Sequence, residues 1–184
     1  RRSARLQRKK YGCSALVFFW GLNRIYPQLS PRNLFMAPDI EHGFDVMFDD
    51  LSLTADPSFY VHAPTRIDSS LAPEGQDTLV VAVPVPHINE ENPQNWPELT
   101  QQARKYILAR LTRLGLDNLE SHIKFEISFS PEDWKKRYNL AKGSAHGLGH
   151  ELLQMGYMRP AHRHARYRNL YFVGASTHPG TGLP

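Results

Sequence analysis

The stretch Asn169 to Pro184, NLYFVGASTHPGTGLP, concentrates groups that could do chemistry: between residues 174 and 182 lie three glycines, three hydroxyls and an imidazole. A strand that runs into a glycine turn and then a helix N-terminus presents backbone amides to phosphate or cofactor oxygens. Leu170 to Val173 reads as a buried strand, and Gly174 lets the chain leave it sharply. Pro179 sets the turn, and Gly180 and Gly182 let the backbone approach a ligand ahead of a helix.

Other constellations compete with it. In KGSAHGLGHE, His146 and His150 stand four apart with Glu151 beside the second, the spacing that puts two imidazoles on one helix face. Glycines at 143, 147 and 149 argue against that helix, and no glutamate follows His146, so no metal site is expected. The segment reads either as a glycine-rich loop lining a ligand cavity or as a surface loop. His162 and His164 sit among arginines and read as an exposed basic loop. Asp49 and Asp50 are adjacent rather than facing, and read as turn or surface. Cys13, the only cysteine, lies in an apolar run and reads as a buried structural thiol in a reducing compartment.

These groups need elements to position them. CSALVFFWGLN reads as a long buried strand, NLFMAP (33–38) as a short one, and SFYVHAPTRID (58–68) and TLVVAVPVPH (78–87) as two neighbours joined by a turn-rich link. In NWPELTQQARKYILARLTRLG, Leu99, Ala103, Ile107, Leu111 and Leu114 recur at helical spacing. Pro97 suits the first turn and Gly115 the stop, with Arg104, Lys105, Arg110 and Arg113 on a solvated face. HIKFEISFS then alternates as a strand through Ile123, Phe125, Ile127 and Phe129. SPEDWKKRYN reads as a helix capped by Ser130 with Asp133 near its positive end. Phe18, Phe19, Trp20, Phe44, Phe48, Phe59 and Tyr60 read mostly as packed core, although a greasy substrate tunnel would use the same residues. The expected fold is α+β: a mixed or antiparallel sheet of four or more strands with covering helices.

With 184 residues, 41% hydrophobic and 22% charged, the chain can bury one sizeable core. Its longest apolar run, CSALVFFWGL, is about half of the ~20 residues a spanning helix needs. The net charge of +4 is uneven, with basic clusters in RRSARLQRKK and RPAHRHARYR. Either could meet anionic lipid or cofactor phosphate, but no nucleic-acid motif accompanies them and no nucleic-acid partner is expected. GxGxxG, GxxxxGK[ST], HExxH and paired CxxC are all absent. A chain that opens on Arg1 without a signal-like core reads as a piece of something longer.

The glycine turn, the phrase LLQMGYMRP and the strand phrase LVFFWGLNRIYPQL together resemble the C-terminal part of the bacterial and fungal phytoene desaturase family, from about Tyr11 to Pro184. The resemblance implies a two-domain FAD-dependent oxidoreductase. Residues 1–160 would form part of the substrate domain, and 161–184 a strand and turn returning to an FAD domain whose N-terminal sequence is missing here. It implies desaturation of phytoene or a related carotenoid by hydride transfer to flavin, with Gly174, Ala175, Ser176, Thr177, His178, Pro179, Gly180, Thr181 and Gly182 along the flavin. The sheet from Cys13 to His87 would wall a tunnel for a long polyene hydrocarbon. A substrate that apolar implies a cytoplasmic enzyme attached peripherally to the membrane surface, with RRSARLQRKK or its neighbouring lobe facing anionic lipid. No catalytic base is named by the resemblance, and Ser176 stands where the wider amine-oxidase group often has an acid. The reading from another class is a non-catalytic carotenoid or lipid-binding module with a relic flavin fold.

Overall fold

The β-branched and aromatic run Ser14–Leu22 forms strand β1, whose burial alternates as far as Trp20 and gives one wholly buried face, Ser14, Leu16, Phe18, Trp20 and Leu22. The computed structural model describes residues 2–182. Leu183 and Pro184, with the helix expected beyond Gly182, lie outside the described residues, as do Arg1 and the side chains of residues 2–4 in the basic opening.

In chain order the elements are α1 (Arg2–Gln7), β1 (Ser14–Leu22), β2 (Arg32–Phe35), α2 (Ile40–Phe48), β3 (Phe59–His62), β4 (Asp77–Val85), α3 (Trp96–Arg113), α4 (Leu119–His122), β5 (Ile123–Phe129) and α5 (Pro131–Tyr138). The five strands form one sheet, ordered β2-β3-β4-β1-β5, and every pairing is antiparallel. The α+β reading holds, with the sheet antiparallel throughout. Strands 58–68 and 78–87 are neighbours as expected, although the first is only four residues long before it breaks into short 3-10 turns.

One face of the sheet packs on α3. Leu16, Phe18, Trp20, Val61, Leu79, Val81 and Val83 join Trp96, Ala103, Ile107 and Leu111 in a single buried cluster. Asn95 caps α3 by accepting from Glu98 N at 3.3 Å. Leu114, expected in this core, is instead exposed, because the helix ends at Arg113 and residue 114 is its cap. The face expected to be solvated is partly engaged. Arg104 donates to Glu126 at 2.8 Å and Glu120 at 2.6 Å, and Arg110 donates to Asp56 at 2.9 Å and to the carbonyls of Pro57 and Met36. At the far end of β4, buried Asp77 takes Arg66 at 2.8 Å and the Thr65 hydroxyl, which pins the 3-10 turn to the sheet.

Two further expectations fail, at α2 and at residues 170–173. Phe44 and Phe48 are not core: with Ile40 they form an exposed stripe on α2, their rings stacked at 6.2 Å. The strand expected at 123–129 is β5; Ile123 packs against the core, whereas Phe125 and Ile127 lie on the opposite face, 60% and 54% exposed. Leu170–Val173 is not a buried strand. Its only ladder contact is a bridge between Tyr171 and Arg163, and Val173 is 94% exposed, because no neighbouring strand in the described residues offers it a row of partners. The α5 cap is as expected: Ser130 and Asp133 form a reciprocal capping box.

Candidate functional site

Residues 139–182 contain only short 3-10 turns and bridges, yet they are tied to the start of β1 by a dense set of hydrogen bonds. Ser14 Oγ donates to Gly143 O at 2.5 Å, Ser144 Oγ donates to Gly12 O at 2.9 Å, and Gly12 N donates to Gly147 O at 2.8 Å. KGSAHGLG is therefore a packed loop at the end of the sheet. Gly147 is there for close approach: a Cβ would fall 2.5 Å from Ser176 Oγ. His146 and Cys13 lie side by side, Nδ1 to Sγ 3.7 Å, and the thiol is half-buried rather than enclosed.

On this loop rests the glycine turn. Leu148 N donates to Ser176 Oγ at 3.2 Å, His178 N to Pro160 O at 2.8 Å, and Thr177 Oγ1 to Gly174 O at 2.8 Å. His178 Nδ1 donates to Gly156 O at 3.0 Å, and its ring stacks on Tyr157. Thr181 N donates to His150 Nε2 at 3.4 Å, with its hydroxyl 3.1 Å from the same nitrogen. The side chains of Ser176, Thr177, His178 and Thr181 thus bond within the lobe. By contrast, the amides of Ala175, Ser176 and Gly180 make no hydrogen bond among the described residues. An acceptor-rich group would meet backbone donors here rather than hydroxyls.

Arg159 holds the turn from beneath. In sequence it opens the basic cluster RPAHRHARYR, yet it is only 3% exposed. Its Nη1 donates to the carbonyls of Gly149 (3.1 Å) and Gln154 (3.2 Å), and its Nη2 to Leu148 (2.8 Å) and Ala175 (2.5 Å). Its Nε is buried without a partner. One signal for it is visible in the sequence, an arginine directly after the largely apolar run LLQMGYM and before Pro160.

A cleft of about 1280 Å³ opens beside the turn, and Ser176 and Thr177 share its wall with Tyr11, His87, Lys142 and Phe172. His87 leaves the end of β4 half-buried, its Nδ1 unpartnered. Burial, helped by the Lys142 ammonium, holds its pKa below the ordinary imidazole value. Sequence reasoning passed over this histidine, which lies just beyond a strand in VPVPH. His150 meets the turn, whereas His146 faces Cys13, so KGSAHGLGHE does not present two imidazoles to one point.

The second face of the sheet is the other candidate surface. Val17, Phe19, Val80, Ala82, Phe125 and Ile127 share it by register, and no helix covers Phe125 or Ile127. Gly21 lies on the same face beneath the Phe125 ring. This is an apolar wall of the kind that binds hydrocarbon.

No protein-family model matches the chain. Individual proteins do. Phytoene desaturase of Fusarium fujikuroi is 38% identical over 97% of this chain and 35% of its own length. The zeta-carotene-forming phytoene desaturase of Myxococcus xanthus is 44% identical over 98% of the chain and 34% of its own length, and phytoene desaturase of Phycomyces blakesleeanus is 40% identical over 97% and 32%. The chain spans about a third of the length of these relatives, and over nearly all of its own length it belongs with the phytoene desaturase family.

Proposed function

We propose that the chain is the C-terminal part of an FAD-dependent desaturase acting on phytoene or a related polyene. In this reading residues 1–160 belong to its substrate domain, and 161–184 return to the flavin domain. The observation that carries the reading is the apolar, uncovered second face of the sheet, a hydrocarbon wall in a chain whose relatives are named for carotenoid precursors.

The turn Gly174–Gly182 fits the polar part of FAD on two counts: unpaired amides at Ala175, Ser176 and Gly180, and a buried cationic side chain beneath them with an unpartnered donor. Bound there, FAD supplies the acceptor for the two electrons that leave the substrate as hydride. The protein's own tasks are then few. The open sheet face aligns the polyene and excludes water, so that the reacting bond is held in register. His87 is neutral at pH 7, and its imidazole can hold a proton without placing a permanent charge beside a hydrocarbon.

Such a substrate partitions into bilayers, so the reading includes peripheral attachment to a membrane surface from the cytoplasmic side. Among the described residues no helix is long and apolar enough to cross a membrane. The exposed stripe Ile40, Phe44 and Phe48 suits a shallow interfacial contact. Flotation of the protein with liposomes that is unchanged by Phe44→Ser with Phe48→Ser, and by neutralising the basic opening, would remove the membrane part of the reading.

The test of the whole is the visible spectrum of the full-length protein, followed by anaerobic addition of phytoene in liposomes. Flavin bands that bleach with substrate are expected. A colourless protein that takes up carotenoid but no FAD would instead make it a binding module.

A further inference from the structure

A buried guanidinium is costly unless something compensates its charge, and arginines of this kind usually face a carboxylate. Arg159 does not. Among the described residues none of the ion pairs includes it, and its four hydrogen bonds all go to backbone carbonyls. Those carbonyls belong to the loop at 148–149, to Gln154, and to Ala175 on the first limb of the glycine turn. The fifth donor, Nε, has no partner and lies toward the second limb. A Cβ at Gly180 would stand 3.5 Å from it and 3.0 Å from His150 Nε2. Gly180 has φ +127°, a bend that favours glycine, and the tight approach of a Cβ there would be to His150, with Arg159 in ordinary contact behind it.

The planar fork explains the choice of residue. Lysine carries the same charge but could not reach carbonyls in three segments at once, and a neutral amide could tie two of them without burying a charge at all. A tie that is also an uncompensated cation makes physical sense when negative or electron-rich groups come to lie on the turn it holds.

We propose that Arg159 is the positioning residue of the cofactor turn: it clamps the first limb of 174–182 onto the 148–154 loop through Ala175, lies beside the second limb that His150 holds, and sets a buried positive charge beneath the bound group. This deepens the flavin reading above and rests on it.

The experiment is FAD titration of the full-length apoprotein, followed by flavin fluorescence, with thermal unfolding measured on the same samples. Arg159→Met is expected to weaken FAD binding by at least ~100-fold, and Arg159→Lys by about 10-fold because the charge survives while the fork is lost. The control is Arg110→Lys, which removes a comparable multi-carbonyl clamp on α3, far along the chain from the turn. It is expected to lower the unfolding temperature and leave FAD affinity within about threefold of wild type. The inference is overturned if Arg159→Met and Arg159→Lys bind FAD as wild type does, or if Arg110→Lys loses affinity equally, since either result reduces Arg159 to a general stabiliser. Wild-type protein that binds no FAD would overturn the flavin reading itself, and this inference with it.

Discussion

The two faces of the sheet are almost equally apolar and have opposite fates. On one, Phe18, Trp20, Val81 and Val83 vanish beneath α3; on the other, α5 reaches only the end near Phe129 through Trp134, and Phe125 and Ile127 stay more than half exposed. An antiparallel sheet with one solvated face normally alternates apolar with polar residues. Here the alternation is missing in the central strands, where LVFFWGL and LVVAVPV are apolar on both sides. In β5 it is inverted beyond the bulge: Glu126 and Ser128 share the register of the α3-covered face, while Phe125 and Ile127 lie open. Stability alone does not select that arrangement. A strand that turns its polar side toward the helix and its rings outward leaves Phe125 and Ile127 as an open apolar surface among the described residues.

Substitutions can break this comparison. The largest effect is expected on the covered face. Phe18→Ala removes a fully buried ring from the centre of the sheet and should destabilise the protein by about 3–5 kcal/mol, read as a lowered urea midpoint. If Phe18→Ala costs no more than an exposed substitution, the covered face is not the core. Gly21→Ala probes the opposite side of β1. Its Cβ would lie 2.1 Å from the Phe125 ring, which must swing away, but that ring is half in solvent and can move. The expected cost is no more than ~1 kcal/mol, well below the 1–3 kcal/mol typical of an overpacked interior.

Smaller still in stability, and larger in function, is Ile127→Ser. On the open face it should change stability by about 0.5 kcal/mol or less. If the side chain is covered by bound hydrocarbon, however, retention of phytoene by the full-length protein should fall by roughly 10-fold, the equivalent of 1.5 kcal/mol of apolar contact. A large stability loss with unchanged retention would mean that the second face is covered by protein instead.

Much of the fold was legible, because periodicity reports burial. The nine residues of β1, the helix 96–113 and the capping box at Ser130 and Asp133 all follow from local pattern. What pattern cannot report is which partner lies across a face. Phe44, Phe48 and Phe125 look like core in sequence because core and binding surface use the same residues. Leu170–Val173 looks like a buried strand because alternation says nothing about whether a neighbouring strand is present. The turn 174–182 was legible as a glycine-rich turn, but not the bonding of its hydroxyls, which turn inward to Leu148, Gly174 and His150. Arg159 and His87 were missed for one reason. Each is a polar residue whose surroundings come from other segments, the carbonyls of 148–154 and 175 for the first, and Tyr11 and Lys142 for the second.

The seam between sheet and lobe gives the finest test, because two histidines there pull stability in opposite directions with pH. His87 has a folded pKa below its unfolded value, so the unfolded chain takes up its proton first. Its contribution is present above the unfolded value near 6.5 and is lost as pH falls from there toward the folded one. His146 is raised, chiefly by its hydrogen bond with Cys13. Its contribution is fully present below the unfolded value and is lost as pH rises through the folded one. Urea midpoints measured between about pH 5 and 8, the range in which histidines titrate, should therefore lose part of their acid-side decline in His87→Gln. Cys13→Ala should lose part of the alkaline-side decline and leave the acid side unchanged. If His87→Gln leaves the acid side unchanged, His87 is not buried at the seam, and the lobe does not close over the end of β4. The cleft beside the turn would then be solvent, and only the open sheet face would remain as a site for an apolar ligand.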